Sequence, residues 1–374
     1  MNPDPVLRAF LEDGIVTDGI QPSGAVSSWG DEEREAAIAV INSGQTTMGP
    51  LVAQFEREYA AYCGTRYCVM VNSGSSANLL MVAAYTLRYG AGTVAVPALG
   101  WATSYSPFLQ YGWRMRFVDC DRETLNYSLP GLWAANEDSE VDLILAVNVL
   151  GSPNDFGGFP KRARVLEDNC ESMGAEYGNR RTGAIGLMAS HSAFFSHHIC
   201  TMEGGMITTD DEWFYHALLS LRSHGWTRHL PERNAFGVKP GMFDFILPGY
   251  NVRPMEIQGA IGIEQMRKLP GIIAQRRENA ARFPLAKQRE IGRSSWYGFA
   301  LLSDDIERLR RQLDARGIEH RPVISGNFCR QPVMRYYGTD VPALPNADYI
   351  HDHGLMINNS GHRIDWSCLR GVTL

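Results

Sequence analysis

The sequence predicts an α/β protein with a mostly parallel sheet in a large first domain, followed by a smaller C-terminal α+β domain. Short continuous apolar runs alternate with helical patterns through the first two-thirds of the chain, as is typical of parallel strands buried on both faces. After Pro254 the pattern changes to a long helical stretch and then to alternating strands and helices. Because 374 residues exceed one ordinary core, we expect a large domain over 1–255 and a small domain over 256–374.

The elements follow from these patterns in chain order. Apolar residues at near-helical spacing predict helical structure over residues 30–63 and again over 77–88. The apolar runs predict strands in the large domain at residues 67–71, 93–96, 115–118, 143–147, 164–166, 192–195 and 206–208. The small domain is predicted to hold a helix over 255–285, a strand at 296–302, a helix at 304–316 and an extended segment at 319–324.

Composition excludes several classes of protein. The net charge of −6 argues against a general attraction for nucleic acid or for anionic membranes. No stretch approaches the roughly 20 apolar residues that span a bilayer, and residues 1–28 lack the apolar core of a secretion signal. The seven cysteines are scattered and form no CxxC pair, so we expect a cytoplasmic protein with free thiols.

The turn after the first predicted strand, at residues 72–78, reads Asn-Ser-Gly-Ser-Ser-Ala-Asn. Small residues let a backbone approach an anion, and the following helix N-terminus offers free N–H groups and a positive dipole end. An ordinary capped turn is the alternative for this segment read alone. Gly74 and Ser75 are therefore the candidate phosphate-binding residues.

A second segment, residues 166–171, is an apolar run that ends in acids and includes Asp168 and Glu171. A carboxylate at the C-terminal end of a buried parallel strand is well placed to meet a ligand. Such a group could keep the ring nitrogen of a pyridine cofactor protonated, which makes the ring an electron sink. An acidic loop without a ligand is the alternative.

Two adjacent histidines, His197 and His198, precede a Gly-Gly pair. Histidine moves protons near neutral pH. A metal site is a competing interpretation, but adjacent residues of a strand point to opposite sides and no third ligand is evident, so no metal is expected. Packing histidines remain an alternative. Before the long helix, Asn251 and Arg253 could bind phosphate or carboxylate, although a charged surface turn is favoured when that segment is read alone.

Taken together, and in this order over residues 30–358, these segments resemble the DegT/DnrJ/EryC1/StrS sugar aminotransferase family of fold type I pyridoxal phosphate (PLP) enzymes. The resemblance implies that the large domain binds PLP or its amine form, pyridoxamine phosphate (PMP). It implies a homodimer with shared active sites, because the family's Tyr-Asn-x-Arg asparagine reaches the neighbouring subunit's phosphate. The cofactor-binding residues that it implies are Gly74, Ser75, Trp101, Asp168, Glu171, Ser192 and Asn251.

One departure from the family pattern is decisive. The family's anchoring lysine lies five residues after the position of Ser192, where this chain has His197. Its four lysines, at positions 161, 239, 268 and 287, all lie outside that segment, so the cofactor has no covalent anchor there. Residues 197–205 and 325–332 resemble a histidine-containing subgroup, the sugar 3-dehydratases. Residues 201–325 contain no cysteine, so no iron–sulfur cluster of the kind found in one branch is expected.

The resemblance implies a PLP/PMP-dependent 3-dehydratase of a nucleotide-linked 4-keto-6-deoxyhexose, with glutamate regenerating the amine form. His197 is the expected base and Asp168 the residue that holds the cofactor ring protonated. His224, Arg228 and Arg330 are the expected substrate-binding residues. Two alternatives remain, an aminotransferase that uses free PMP and a non-catalytic binding protein with this fold.

Overall fold

A computed structural model describes residues 28–374, and its centre is a seven-stranded sheet. The strands of the large domain are β1 (Tyr67–Val71), β2 (Thr93–Pro97), β3 (Arg114–Val118), β4 (Leu143–Val147), β5 (Arg164–Asp168), a separate ribbon of β6 (Glu176–Tyr177) and β7 (Arg180–Arg181), β8 (Met188–Ser192) and β9 (Gly205–Thr209). The order in the large sheet is β1-β9-β8-β5-β4-β2-β3. Every neighbouring pair from β8 to β3 is parallel, and within this sheet only β9 runs antiparallel to its neighbours. The predicted mostly parallel sheet is confirmed.

Helices pack against this sheet, and they are α1 (Asp31–Ser43), α2 (Pro50–Cys63), α3 (Gly74–Tyr89), α4 (Ala102–Gln110), α5 (Leu129–Ser139) and α6 (Glu212–Leu221). The helical stretch predicted over 30–63 is two helices. Gly44, in the left-handed region with φ of 74°, ends α1, and Pro50 occupies the first position of α2. The strands are buried on both faces, as the continuous apolar runs predicted; all five residues of β4, for example, are buried.

The C-terminal part begins with a long helix, α7 (Glu256–Arg282), which packs against α1 and α2. A three-stranded antiparallel sheet follows, in the order β10-β12-β11. Its elements are β10 (Gly298–Leu302), α8 (Ile306–Asp314), β11 (Arg321–Pro322), α9 (Pro345–His353) and β12 (Gly354–Asn358). The domain boundary predicted at residue 255 stays a prediction. No helix within residues 28–374 has the length and apolar character needed to cross a membrane.

The strand predicted at 192–195 is wrong, because the strand ends at Ser192 and begins at Met188. Its sequence, Met-Ala-Ser-His-Ser, is too polar to stand out as an apolar run. The polar groups are accommodated inside the sheet, where the His191 ring Nε2 lies 3.2 Å from Thr208 Oγ1. This shift places Ser192 at the carboxyl end of β8 rather than at its start.

Candidate functional site

A cavity of about 340 Å³ opens at the carboxyl ends of three adjacent parallel strands. Val147 ends β4, Asp168 ends β5 and Ser192 ends β8, and all three line the cavity. The carboxyl edge of a parallel sheet is the usual ligand site in open α/β folds, because the loops that leave it diverge and create a crevice.

The turn between β1 and α3 forms one wall of the cavity. Ser73 caps α3, with its Oγ accepting a hydrogen bond from the Ser76 backbone N–H at 3.1 Å. At Gly74 a Cβ atom would lie 2.8 Å from Ser192 Cβ and 2.9 Å from Cys170 Sγ, so only glycine fits. This tight turn at a helix N-terminus fits a phosphate group. The structure thus brings the predicted residues Gly74, Ser75 and Ser192 together.

Asp168 is held in a fixed orientation at the end of β5 and is 5% exposed. Its Oδ2 accepts hydrogen bonds from Asn78 Nδ2 at 2.8 Å and from Ser104 Oγ at 2.7 Å. Its Oδ1 accepts one from the Cys170 backbone N–H at 3.2 Å. A buried carboxylate fixed by several donors can stabilise a protonated ring nitrogen of a bound cofactor, so the geometry fits the predicted role.

Glu171 and Trp101 also line the cavity. Glu171 Oε2 accepts a hydrogen bond from the Leu150 backbone N–H at 3.0 Å, and burial raises the pKa of its carboxyl. Trp101 immediately precedes α4, and its side chain is 57% exposed. An exposed aromatic ring beside a cavity is suited to stacking on a planar ligand.

His197 lies in the loop after β8, where its backbone N–H donates to Phe194 O at 2.9 Å. Its ring Nδ1 is shielded from solvent and has no hydrogen-bond partner in the described part of the chain. Burial, together with the positive charges of Arg276 and Arg321, lowers the pKa of His197 to about 3. The imidazole is therefore neutral near pH 7 and can accept a proton.

None of the chain's lysines, all of which lie in the described residues, lines this cavity. Lys268 instead forms ion pairs with Glu32 and Glu33 on α1. No group of three or more His, Cys, Asp or Glu side chains within residues 28–374 is arranged to hold a metal ion. The cavity therefore offers acid–base and anion-binding groups rather than an amine that could bond to a cofactor.

The substrate-binding predictions and Asn251 lie outside this cavity in the single chain. Asn251 Oδ1 accepts a hydrogen bond from Arg253 Nε, and Arg228 is exposed. The His224 ring packs against Trp226, with centroids 4.8 Å apart. Arg330 pairs with both carboxylate oxygens of Asp352 at 2.8 Å. Their roles stay predictions.

Sequence reasoning missed several residues that line the cavity, among them Asn78, Ser104, Tyr297 and Arg321. For Asn78 the sequence contained a weak indication, because this residue lies one helical turn into α3, at the end of the predicted phosphate-binding segment 72–78. Tyr297 and Arg321 carried none, because they come from the C-terminal part and meet the site only through the tertiary fold.

Comparisons with known proteins show the family to which the chain is similar. Residues 27–362 match the DegT/DnrJ/EryC1/StrS aminotransferase family. The GDP-4-keto-6-deoxy-D-mannose 3-dehydratase of Yersinia pseudotuberculosis is 46% identical, over 92% of this chain and 94% of that protein.

Two crystal structures of GDP-4-keto-6-deoxymannose-3-dehydratase are also similar. One, a His-to-Asn mutant with bound GDP-perosamine, has a TM-score of 0.87 and 44% identity, over 91% of this chain and 96% of that chain. The other, with a trapped PLP-glutamate geminal diamine, has a TM-score of 0.87 and 43% identity with the same coverage. The predicted fold and the resemblance to the sugar 3-dehydratase subgroup are confirmed.

Proposed function

Because the chain belongs to the DegT/DnrJ/EryC1/StrS aminotransferase family, we propose that it is a PLP/PMP-dependent 3-dehydratase of a nucleotide-linked 4-keto-6-deoxyhexose. Glutamate is the proposed amine donor that regenerates the PMP form. One observation carries the proposal: the imidazole of His197 shares the cavity with the buried acid Asp168, and none of the chain's four lysines lines that cavity. A base without an amine can move protons there but cannot bind the cofactor covalently.

The residues of the cavity fit the cofactor. The N-terminal turn of α3, with Gly74 and Ser75, and the end of β8, with Ser192, hold its phosphate. Asp168 would hold its ring nitrogen protonated and Trp101 would stack on its ring. In its amine form the cofactor supplies an amine for the C4 ketone of the sugar and a ring that accepts electrons.

His197 moves the proton of the reaction. The low pKa of His197 keeps its ring unprotonated at neutral pH, so a ring nitrogen is free to take a proton from the reacting carbon, and the imidazolium that forms gives this proton up readily. The protonated ring can then return that proton as the C3 hydroxyl leaves as water. Glu171, whose carboxyl pKa is raised by burial, lines the same cavity and is a second polar group beside this path.

The proposed assembly is a homodimer in the cytoplasm. Asn251 then reaches the phosphate in the neighbouring subunit's cavity, and His224 and Arg228 contribute to the sugar-nucleotide site. Arg330 is the third proposed substrate-binding residue. Its ion pair with Asp352 must break before it can bind a substrate.

Product analysis tests the proposed function. Purified protein is mixed with PLP, glutamate and GDP-4-keto-6-deoxymannose, and with other nucleotide-linked 4-keto-6-deoxyhexoses in parallel. Mass spectrometry should find a keto-sugar that has lost its C3 oxygen. A product that keeps this oxygen and carries nitrogen at C4 would identify an aminotransferase instead. Cofactor binding without turnover of any such sugar would favour the non-catalytic alternative.

A further inference from the structure

The Tyr297 side chain lines the cavity, although neither cofactor binding nor the proton transfer by His197 requires it. Tyr297 lies just before β10, far in sequence from the phosphate turn and from His197. Its ring centroid is 5.4 Å from that of His197, and its hydroxyl lies 3.3 Å from Ser196 Oγ, in the residue before the proposed base. A hydroxyl group therefore lies beside the site of proton transfer.

The backbone before Tyr297 is held in an unfavourable conformation. Trp296 has a φ of 51°, in the left-handed region that bulky side chains rarely adopt. Such a conformation persists only where the surrounding structure fixes it. Here the Trp296 oxygen accepts a hydrogen bond from Asn359 Nδ2 at 2.9 Å, and the Tyr297 N–H donates to Leu150 O at 2.9 Å. Because backbone strain concentrates at functional sites, it points to a function for the side chain at position 297.

The Tyr297 hydroxyl is a hydrogen-bond donor that the fold uses only weakly. Arg321 Nη2 lies 3.4 Å from it, and because a guanidinium can only donate, the phenol oxygen accepts there. The phenol proton is then left for Ser196 Oγ, at a distance that is long for two hydroxyl groups, or for a ligand. Burial, followed by the negative charge of Glu171, raises the pKa of this hydroxyl, so it stays protonated at neutral pH. Tyr297 thus offers the cavity a neutral donor rather than a second base.

We propose that the Tyr297 hydroxyl donates a hydrogen bond to the C3 hydroxyl of the sugar and is a further catalytic residue, an inference that rests on the proposed function. C3 is bonded to C4, the carbon at which the amine reacts, so the leaving hydroxyl lies close to the base. The C3–O bond breaks with its electron pair on the oxygen, and a donor at that oxygen stabilises the developing negative charge. The proton that completes the water comes from the imidazolium of His197, and Tyr297 keeps its own.

The two half-reactions of the proposed function separate this role from others. Tyr297→Phe removes the hydroxyl and keeps the ring that packs beside His197. Dehydration of the sugar in a single turnover by enzyme preloaded with PMP should slow about 10- to 100-fold. Conversion of the PLP form to the PMP form by glutamate expels no C3 hydroxyl, so its rate should change less than about threefold. As a control, Tyr336→Phe alters an exposed tyrosine that contacts Arg335 and should leave both rates unchanged.

A pair of unreactive ligands tests the contact without turnover. GDP-6-deoxymannose, which has hydroxyls at C3 and C4, and its 3-deoxy counterpart are titrated calorimetrically into the PMP-loaded protein. The wild type should bind the ligand with the C3 hydroxyl about three- to tenfold more tightly, as expected for one neutral hydrogen bond. In Tyr297→Phe the two affinities should agree within about twofold.

A loss of rate in the glutamate half-reaction that equals or exceeds the loss in dehydration would show that Tyr297 acts only through its neighbours. Unchanged dehydration in Tyr297→Phe, or the same ratio of the two affinities as in the wild type, would show that the hydroxyl does not contact the C3 hydroxyl. Each of these results overturns the assignment. If the wild-type protein dehydrated no sugar, the proposed function would fail, and the ratio of the two affinities would decide separately whether Tyr297 binds a C3 hydroxyl.

Discussion

The two ends of the cavity are built in different ways. The proposed phosphate-binding end is local: one turn and the first residues of α3, over 73–78, supply the cap, the close-packed glycine and the backbone donors. The base end is assembled from distant segments, with His197 after β8, Tyr297 before β10 and Arg321 in β11. Under the proposed function, the local end binds the phosphate of the cofactor, whereas the assembled end determines which reaction follows.

The largest expected effect comes from removing the proposed base, His197. His197→Asn should slow sugar dehydration about 1,000-fold, because a positioned general base contributes about 10²- to 10⁴-fold. Cofactor binding, which depends on the other end, should stay within about twofold, since the phosphate turn is untouched. Single-turnover rates and a fluorescence titration with PMP measure the two quantities. As a control, His320→Asn alters a histidine that pairs with Asp314 outside the cavity. If His197→Asn kept the wild-type rate of dehydration, His197 would not be the base and the two ends of the cavity would not differ in function.

A smaller effect is expected between the two ends, at Asp168. Asp168→Asn should reduce the single-turnover rate about 10- to 100-fold, because the neutral amide cannot stabilise a protonated ring nitrogen as the carboxylate does. Its side chain keeps the shape held by Asn78 and Ser104. The absorbance band of the bound cofactor reports the ring's protonation state, and an unchanged band with an unchanged rate would contradict this role.

A substitution in the turn between β1 and α3 should mainly change the affinity for PMP. Gly74→Ala forces a Cβ atom to 2.8 Å from Ser192 Cβ, which must displace the turn and weaken PMP binding about tenfold or more. Gly271→Ala is the matched control, since its Cβ would meet nothing within 4 Å and alanine suits the interior of α7. Equal PMP affinity in the two variants would show that the close approach at Gly74 is unimportant.

The last effect concerns stability rather than rate or affinity. His191, fully buried in β8 below the cavity, has its pKa lowered by burial from 6.5 to about 3. Its neutral form stabilises the fold above pH 6.5, and this contribution is lost as the pH falls from 6.5 toward 3, by at most about 1.4 kcal/mol per pH unit. The free energy of unfolding from urea titrations should therefore fall less steeply with acid in His191→Gln. If the free energy of unfolding falls equally steeply with acid in the wild type and in His191→Gln, then His191 is not the group that causes this dependence.

The difference between the two ends also explains what the sequence could predict. The β1 strand, the phosphate turn and Asp168 belong to short contiguous motifs, so their positions follow from residue order. His197 is identified by its spacing of five residues from Ser192. This spacing does not depend on where the strand lies, so the misplaced strand at 192–195 does not affect the identification. Tyr297 and Arg321 were missed because only the packing of the C-terminal part brings them to the cavity, and no local pattern marks such residues.

Reduction of the PLP-loaded protein with borohydride, followed by peptide mapping, tests the absence of a covalent anchor most directly. We expect no stoichiometric adduct on the wild-type chain after free cofactor is removed, and an adduct at position 197 in His197→Lys as the positive control. A stoichiometric adduct on any of the four native lysines would contradict the account.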